Sequence, residues 1–154
     1  MLRSDSLEDI VAGAIAAVEA AQEQPPTVRI ELDVARPLPL LLLDGRLVRR
    51  AMINLVGNAV QAMPNGGRVV VRVVEEILAI GPAVRIEVSD DGPGIRASTM
   101  DRIFDPFFTT KASGTGLGLS IVRRVAEAHG GVLDVQSEEG RGTTFIIRLP
   151  SSTG

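Results

Sequence analysis

The chain of 154 residues has no cysteine, no tryptophan and no tyrosine, and only one lysine and one histidine. Without cysteine there are no disulfides and no thiolate metal sites, which fits a reducing, cytoplasmic setting. The four leucines Leu40 to Leu43 fall far short of the about 20 apolar residues that a membrane-spanning helix needs. The N-terminus lacks the basic-then-apolar order of a signal peptide. A net charge of −3 gives no general attraction for nucleic acid or an anionic membrane. With no internal repeat and no linker, residues 1–154 read as a single domain with its core over about 7–150.

The few aromatic residues are concentrated. Three of the four phenylalanines, with the lone Lys111, fall in Phe104-Asp105-Pro106-Phe107-Phe108-Thr109-Thr110-Lys111. Two glycine blocks bracket that segment, Asp90-Asp91-Gly92-Pro93-Gly94-Ile95 and Gly114-Thr115-Gly116-Leu117-Gly118-Leu119. Cores ordinarily take the large side chains. Their placement between glycine turns implies a loop that folds down on a ligand, read here as a nucleotide.

Apolar spacing at Leu7, Ile10, Val11, Ala14, Val18 and Ala21 predicts a helix behind a Ser6/Asp9 capping box. Val28, Ile30 and Leu32 predict a strand, and Leu40 to Leu43 a short buried one. Asp44 caps a long helix to about Met63, with Leu47, Val48, Ala51, Met52, Leu55 and Val56 inward. Arg68 to Glu75 and Ala83 to Asp90 read as a strand pair joined through Gly81-Pro82. Leu117 to His129 reads as a helix with Leu117, Ile121, Val125 and Ala128 on one stripe, closed by Gly130-Gly131. Val132 to Ser137 and Thr143 to Leu149 form a last hairpin. The stretch from Asp91 to about Gly116 is irregular and long enough to be a functional lid. Strands and helices do not alternate strictly, which favours an α+β layer of helices on a mixed sheet.

Asn54 and Asn58 stand at i and i+4 and project from one helix face. Two carboxamides there either bond neighbouring loops or serve a hard cation or phosphate. Asp90 continues the inward parity of Val84, Ile86 and Val88. A carboxylate there needs donors, and either the turn at Gly92 or a purine amino group supplies them. Gly92, Gly94, Gly116 and Gly118 permit close backbone approach, and the second glycine block opens a helix whose N–H groups favour phosphate. His129, at a helix C-terminus with no nucleophile or carboxylate partner, reads as a packing or dipole-complementing residue.

Together these blocks resemble the N, G1, F and G2 boxes of the ATP-binding catalytic domain of bacterial two-component sensor histidine kinases. That domain belongs to the superfamily that includes DNA gyrase and mismatch-repair ATPases. The likeness runs from about Leu7 to Pro150, with Asn54-Leu55-Val56-Gly57-Asn58-Ala59 as N-box and Gly140-Arg141-Gly142-Thr143-Thr144-Phe145 as closing motif. The F-box is most similar to the nitrogen-regulation type. The resemblance implies a two-layer α/β sandwich of the Bergerat type, a mainly antiparallel sheet covered on one face by about three helices, and a lid over about 96–115. It implies Mg²⁺ on Asn58 assisted by Asn54, and Asp90 on the adenine amino group with Thr143 supporting it through water. Gly92, Gly94 and Ile95 would shape the adenine side, and Thr115, Gly116, Leu117, Gly118 and the mobile ammonium of Lys111 the phosphate side. Gln61 and Ala62 depart from the basic and tyrosine residues that many members carry.

The implied activity is transfer of the ATP γ-phosphoryl group to a histidine on a separate dimerisation domain, and onward to a response regulator. His129 lies outside the context of that acceptor, so the chain reads as a catalytic domain alone, free or within a larger membrane-associated sensor. Hydrolytic members place a glutamate base where Asn54 stands, and an amide cannot take a proton from water. A serine kinase of the anti-sigma-factor type and a non-catalytic nucleotide-sensing module are the rival readings.

Overall fold

The computed structural model describes residues 6–22, 27–104 and 118–151. Helix α1 (Leu7–Ala21) starts where the Ser6 hydroxyl accepts the Asp9 N–H, satisfying one of the orphan donors of a first turn. Beyond its end the Gln22 side chain holds both the N–H and the C=O of Val28, which starts strand β1 (Val28–Val34). Helix α2 (Gly45–Gln61) is capped by the Asp44 carboxylate, which accepts from the N–H groups of Arg46 and Leu47. Strands β2 (Gly67–Leu78) and β3 (Gly81–Asp90) follow, then the short helix α3 (Ala97–Met100), helix α4 (Gly118–Ala128), and strands β4 (Val132–Glu138) and β5 (Gly142–Pro150).

The five strands form one sheet in the order β1-β2-β3-β5-β4, parallel between β1 and β2 and antiparallel elsewhere. Helices α1, α2 and α4 pack together, and their buried residues share one core with the inward strand positions. Val69, Val71 and Val73 of β2 meet Val84, Ile86 and Val88 of β3 and Phe145, Ile147 and Leu149 of β5 beneath Val11, Met52, Leu55, Val56 and Val122. Period-2 strands laid against period-3.6 helices thus bury one face of each.

Four expectations need correction. Leu40 to Leu43 is not a strand: only Leu43 makes a bridge, while Leu41 and Leu43 are buried and Leu40 and Leu42 point outward. Extended backbone alternates its side chains whether or not it joins a sheet. Leu47, expected inward, is exposed, because at about 100° per residue it stands at the edge of the stripe that Val48, Ala51, Met52, Leu55, Val56 and Ala59 bury. On α4 the buried residues are Val122, Val125 and Ala126, with Ile121 only half-buried and Ala128 exposed. Leu117 lies outside the described residues. Finally, Gly81-Pro82 begins β3, and the hairpin turns at Ala79-Ile80. The closing glycines do act as a helix stop: Gly131 N–H reaches Ala126 C=O, Gly130 N–H reaches Glu127 C=O, and Gly130 adopts φ +74°. That is the 6→1, 5→2 pairing of a Schellman end.

The outward face of the sheet is charged. Glu31 pairs with Arg68 and Asp33 with Arg72. Glu76 receives both Arg85 (2.8 Å) and Arg148 (2.9 Å), while Arg148 also reaches Asp134 and Arg85 also reaches Glu87. The Arg148 hydrogen bond, with Arg85 behind it, holds the Glu76 carboxyl below its ordinary value of 4.5 against the opposing effect of burial. A carboxyl held low in the fold lends stability above its unfolded value and loses it as pH falls through the folded one. Glu76→Gln should therefore melt below the parent at pH 7. That gap should narrow below about pH 4.5 and close in stronger acid. Thermal melts of the two proteins from pH 7 to pH 2 check this.

Candidate nucleotide-binding site

The site is built where the sheet ends beneath the C-terminal end of α2. Asp90 is the last residue of β3 and keeps the inward parity of the buried Val84, Ile86 and Val88. Across the sheet it pairs with Val69 on one side and Thr143 on the other, and Thr143 pairs with Ser137. Asp90 Oδ1 accepts the Gly92 N–H at 2.8 Å. The turn bond is thus real, yet a carboxylate has about four lone-pair sites, so it does not exhaust Asp90 as an acceptor.

Close packing fixes the loop after Asp90. Gly92 is buried, and a methyl group there would come 2.9 Å from Asp90 Oδ1 and 3.4 Å from Ala62 Cβ. Gly94 adopts φ +77°, and a methyl group there would lie 2.3 Å from the Glu138 carbonyl oxygen. Only glycine meets both demands. Gly140 N–H donates to Pro93 C=O at 2.7 Å, and Ile95 N–H donates to Ser137 Oγ at 2.7 Å. The loop is therefore strapped along the β4–β5 hairpin. A cavity of about 310 Å³ at the end of this hairpin is lined by Asp90, Ser137 and Thr143 and also by Gln136 and Thr144, which have the opposite strand parity, with no residue of α2. Thr143 is the buried polar side chain among the described residues, at 7% exposure.

Asn54 and Asn58 are half-buried on α2, beside the stripe formed by Ala51, Leu55 and Ala59. Ala62, next to Gly92, follows Asn58 by four residues, so Asn58 stands roughly 6 Å and Asn54 roughly 12 Å back along the helix axis. Gly118 opens α4, and a methyl group there would meet nothing within 4 Å. Lys111, Thr115, Gly116 and Leu117 lie outside the described residues, as do Phe107 and Phe108.

The first part of the expected lid is built differently from an irregular loop. Residues 97–104 form α3 and a turn, with Ile103 buried and Ile95, Met100 and Phe104 packed on the core. The Arg123 guanidinium lies 5.7 Å from the centre of the Phe104 ring, a cation–π contact from α4. Apolar residues at 95, 100, 103 and 104 anchor this stretch, and no glycine interrupts it.

His129 is remote from all this. Its Nδ1 lies 2.8 Å from Val125 C=O and its Nε2 2.9 Å from the Asp44 N–H. A carbonyl only accepts and an amide only donates, so the ring is neutral with its proton on Nδ1. It ties the end of α4 to the start of α2, about 25 Å along the helix from Ala62. Ser137 is the site residue that sequence reasoning missed. The signal was present: once the turn at Glu138-Glu139-Gly140 sets the hairpin, Ser137 faces Thr143.

A closely packed glycine loop, a carboxylate at a strand end and paired amides on the covering helix are the features of a nucleotide-binding α+β domain. Residues 43–153 match the model of the histidine kinase-, DNA gyrase B-, and HSP90-like ATPase family, and the chain belongs to that family. Within it, the chain is an ATP-binding catalytic domain of the sensor-histidine-kinase kind. It is 44% identical over 113 residues to the sensor histidine kinase ZraS of Escherichia coli (strain K12), which covers 73% of this chain and 23% of that protein. The mycobacterial sensor histidine kinase MprB superposes with a TM-score of 0.83 at 27% identity, covering 97% of each chain. Full-length ShkA, solved in complex with AMPPNP, gives 0.80 at 31% identity over 97% of this chain and 31% of its own. The chain spans about a quarter of the length of the two Escherichia coli ZraS relatives it matches.

Proposed function

We propose that this chain binds Mg²⁺-ATP and donates the γ-phosphoryl group to a histidine on a separate helical dimerisation domain in two-component signalling. The observation that carries the reading is the cluster of Asp90, the strapped Gly92–Ile95 loop and Thr143 at the strand ends, with Gly92 against Ala62 at the end of the helix that carries the two amides. Asp90 accepts from the adenine amino group, and Gly92 and Gly94 let the loop backbone lie close to the base. Asn58, with Asn54 beside it, offers carboxamide oxygen, the donor chemistry that suits a hard cation sharing its sphere with phosphates and water. When bound there, such an ion would supply charge neutralisation for the polyphosphate. The sequence pattern assigns Lys111, Thr115, Gly116, Leu117 and Gly118 to the phosphate side.

In the transfer, the acceptor imidazole nitrogen forms a bond to the γ-phosphorus as the bond from phosphorus to the β–γ bridging oxygen breaks. The electron pair leaves on ADP and the imidazole sheds its N–H proton to solvent. Positioning and charge neutralisation supply most of what such a step needs. Asn54 offers no base, so water is a poor competitor for the phosphoryl group.

Incubation with a histidine-containing dimerisation domain and ATP labelled on the γ-phosphorus tests the reading. The expected result is acid-labile, alkali-stable label on the acceptor histidine, passing to a response regulator when one is added. Acid-stable label on a partner serine would favour the serine-kinase reading. Tight ATP binding with no transfer to any acceptor would leave a nucleotide-sensing module.

A further inference from the structure

Strand β1 lies at one edge of the sheet, and the ladder on its inner side dictates which groups face outward. Gly67 N–H donates to Thr27 C=O, and Ala35 N–H donates to Val73 C=O. In the register that runs from Val28↔Gly67 to Val34↔Val73, the odd-numbered residues therefore bond to β2. The N–H and C=O groups of Val28, Ile30, Leu32 and Val34 point away from the sheet. At Val28 one side chain takes both groups. Gln22 Oε1 accepts the N–H at 3.3 Å, and Gln22 Nε2 donates to the C=O at 3.2 Å. A residue of an added antiparallel strand would exchange the same two bonds. Among the described residues nothing carries this pairing past Val28, so Ile30, Leu32 and Val34 offer an unfinished ladder.

The side chains along this edge say what would complete it. Leu32, on the same face as the buried Val28, is 37% exposed. A cavity of about 460 Å³ runs beside Thr27 to Ile30, walled by Glu19 and Arg68. On the outward face Arg29, Glu31 and Asp33 stand in a row. Arg68 holds only Oε2 of Glu31, and Arg72 approaches only Oδ2 of Asp33 at 3.8 Å, so each carboxylate keeps an oxygen for another cation. A second copy of β1 is a poor occupant. The antiparallel register that uses Ile30, Leu32 and Val34 of both copies sets Glu31 opposite Asp33 twice, and like charges directly opposite are destabilising. Sliding one copy by two residues sets Glu31 opposite Glu31 and runs Val34 onto the Val28 that Gln22 holds. We propose that β1 is a docking edge for an extended segment of a protein partner, added antiparallel, in which apolar and basic residues alternate. Its apolar side chains cover Leu32 and its neighbours, its basic ones meet Glu31 and Asp33, and an acidic one meets Arg29. The inference stands independently of the ATP reading.

The test titrates the isotope-labelled chain with the end-capped peptide Val-Lys-Val-Lys-Val-Glu and follows each backbone amide by NMR. Shifts should gather at Ile30, Leu32 and their neighbours in β1. The charge-reversed peptide Val-Glu-Val-Glu-Val-Lys should bind about tenfold more weakly, as two opposed pairs turn from attraction to repulsion. N-methylation of the valine that faces Leu32 should cost about tenfold, the loss expected for one hydrogen bond. Leu32→Pro removes an N–H that β2 does not use, a change an edge strand accepts, and should weaken binding by about as much. Should that variant fail to fold, the N-methylated peptide on the parent carries the same expectation. The double variant Glu31→Lys with Asp33→Lys should prefer the charge-reversed peptide. No binding of the first peptide, equal binding of all three, or shifts centred away from β1 would overturn the inference. So would self-association of the free chain through the β1 amides, seen by sedimentation, which would make the edge a dimer contact.

Discussion

Asp90→Asn should weaken ATP binding by about 2 kcal/mol, roughly thirtyfold, and collapse the preference for ATP over GTP. In the parent the Asp90 carboxylate is an acceptor only, with one lone pair on the Gly92 N–H and inward parity on the helix-covered face of the sheet. On the proposed reading the adenine amino group would donate to it. Guanine has a carbonyl at the same ring position, so GTP sets an acceptor against an anionic acceptor in a partly dry site. An asparagine at 90 can keep the Gly92 bond with its oxygen while its NH₂ turns toward the base. That group repels the adenine amino hydrogens and suits the guanine carbonyl, so ATP should lose affinity while GTP holds or gains. The isosteric change leaves the pairing with Val69 and Thr143 undisturbed. Calorimetric titration of parent and variant with both nucleotides decides the matter. Equal ATP and GTP affinity in the parent would sink the role of Asp90 as reader of the base. An unchanged ratio in the variant would do the same.

The parity that exposed Asp90 explains what else could be read from the chain. Strand β3 alternates cleanly at Val84, Ile86 and Val88 because one of its faces lies under helices, so the next residue on that side had to be Asp90. The long helix was legible because its Asp44 cap and its apolar stripe agree. The leucines from Leu40 to Leu43 misled, since a uniform apolar run reports hydrophobicity without saying which side will be buried. Residues 97–104 misled for the opposite reason. Scattered apolar side chains there find their partners only across the fold, as Phe104 finds Arg123. Ser137 was overlooked for a related cause: its place opposite Thr143 can be counted from the hairpin turn, but its bond to Ile95 comes only from the fold.

Asn58→Ala should abolish phosphoryl transfer to a supplied acceptor domain, by a hundredfold or more, while the domain stays folded. Asn58 lies beside the apolar stripe of α2, half-buried, and the stripe itself is made by Val48, Ala51, Met52, Leu55, Val56 and Ala59. Alanine is the best helix former, so the substitution leaves the backbone and core in place. What it removes is the amide oxygen one turn behind Ala62, where the phosphates of a base-anchored nucleotide would run. Transfer depends on holding those phosphates in line and neutralising their charge, so loss of one metal-directed oxygen should fall on the rate far more than on the base contacts at Asp90. The expected pattern is therefore a split. Melting temperature and ADP affinity measured without Mg²⁺ should stay close to the parent, while the Mg²⁺-dependent gain in ATP affinity and the transfer rate both disappear. If Asn58→Ala transfers phosphate at near-parental rate with Mg²⁺, the ion is held elsewhere and the pairing with Asn54 is structural. Asn54→Ala, tested alongside, should show the weaker version of the same split, because Asn54 lies one further turn from the base.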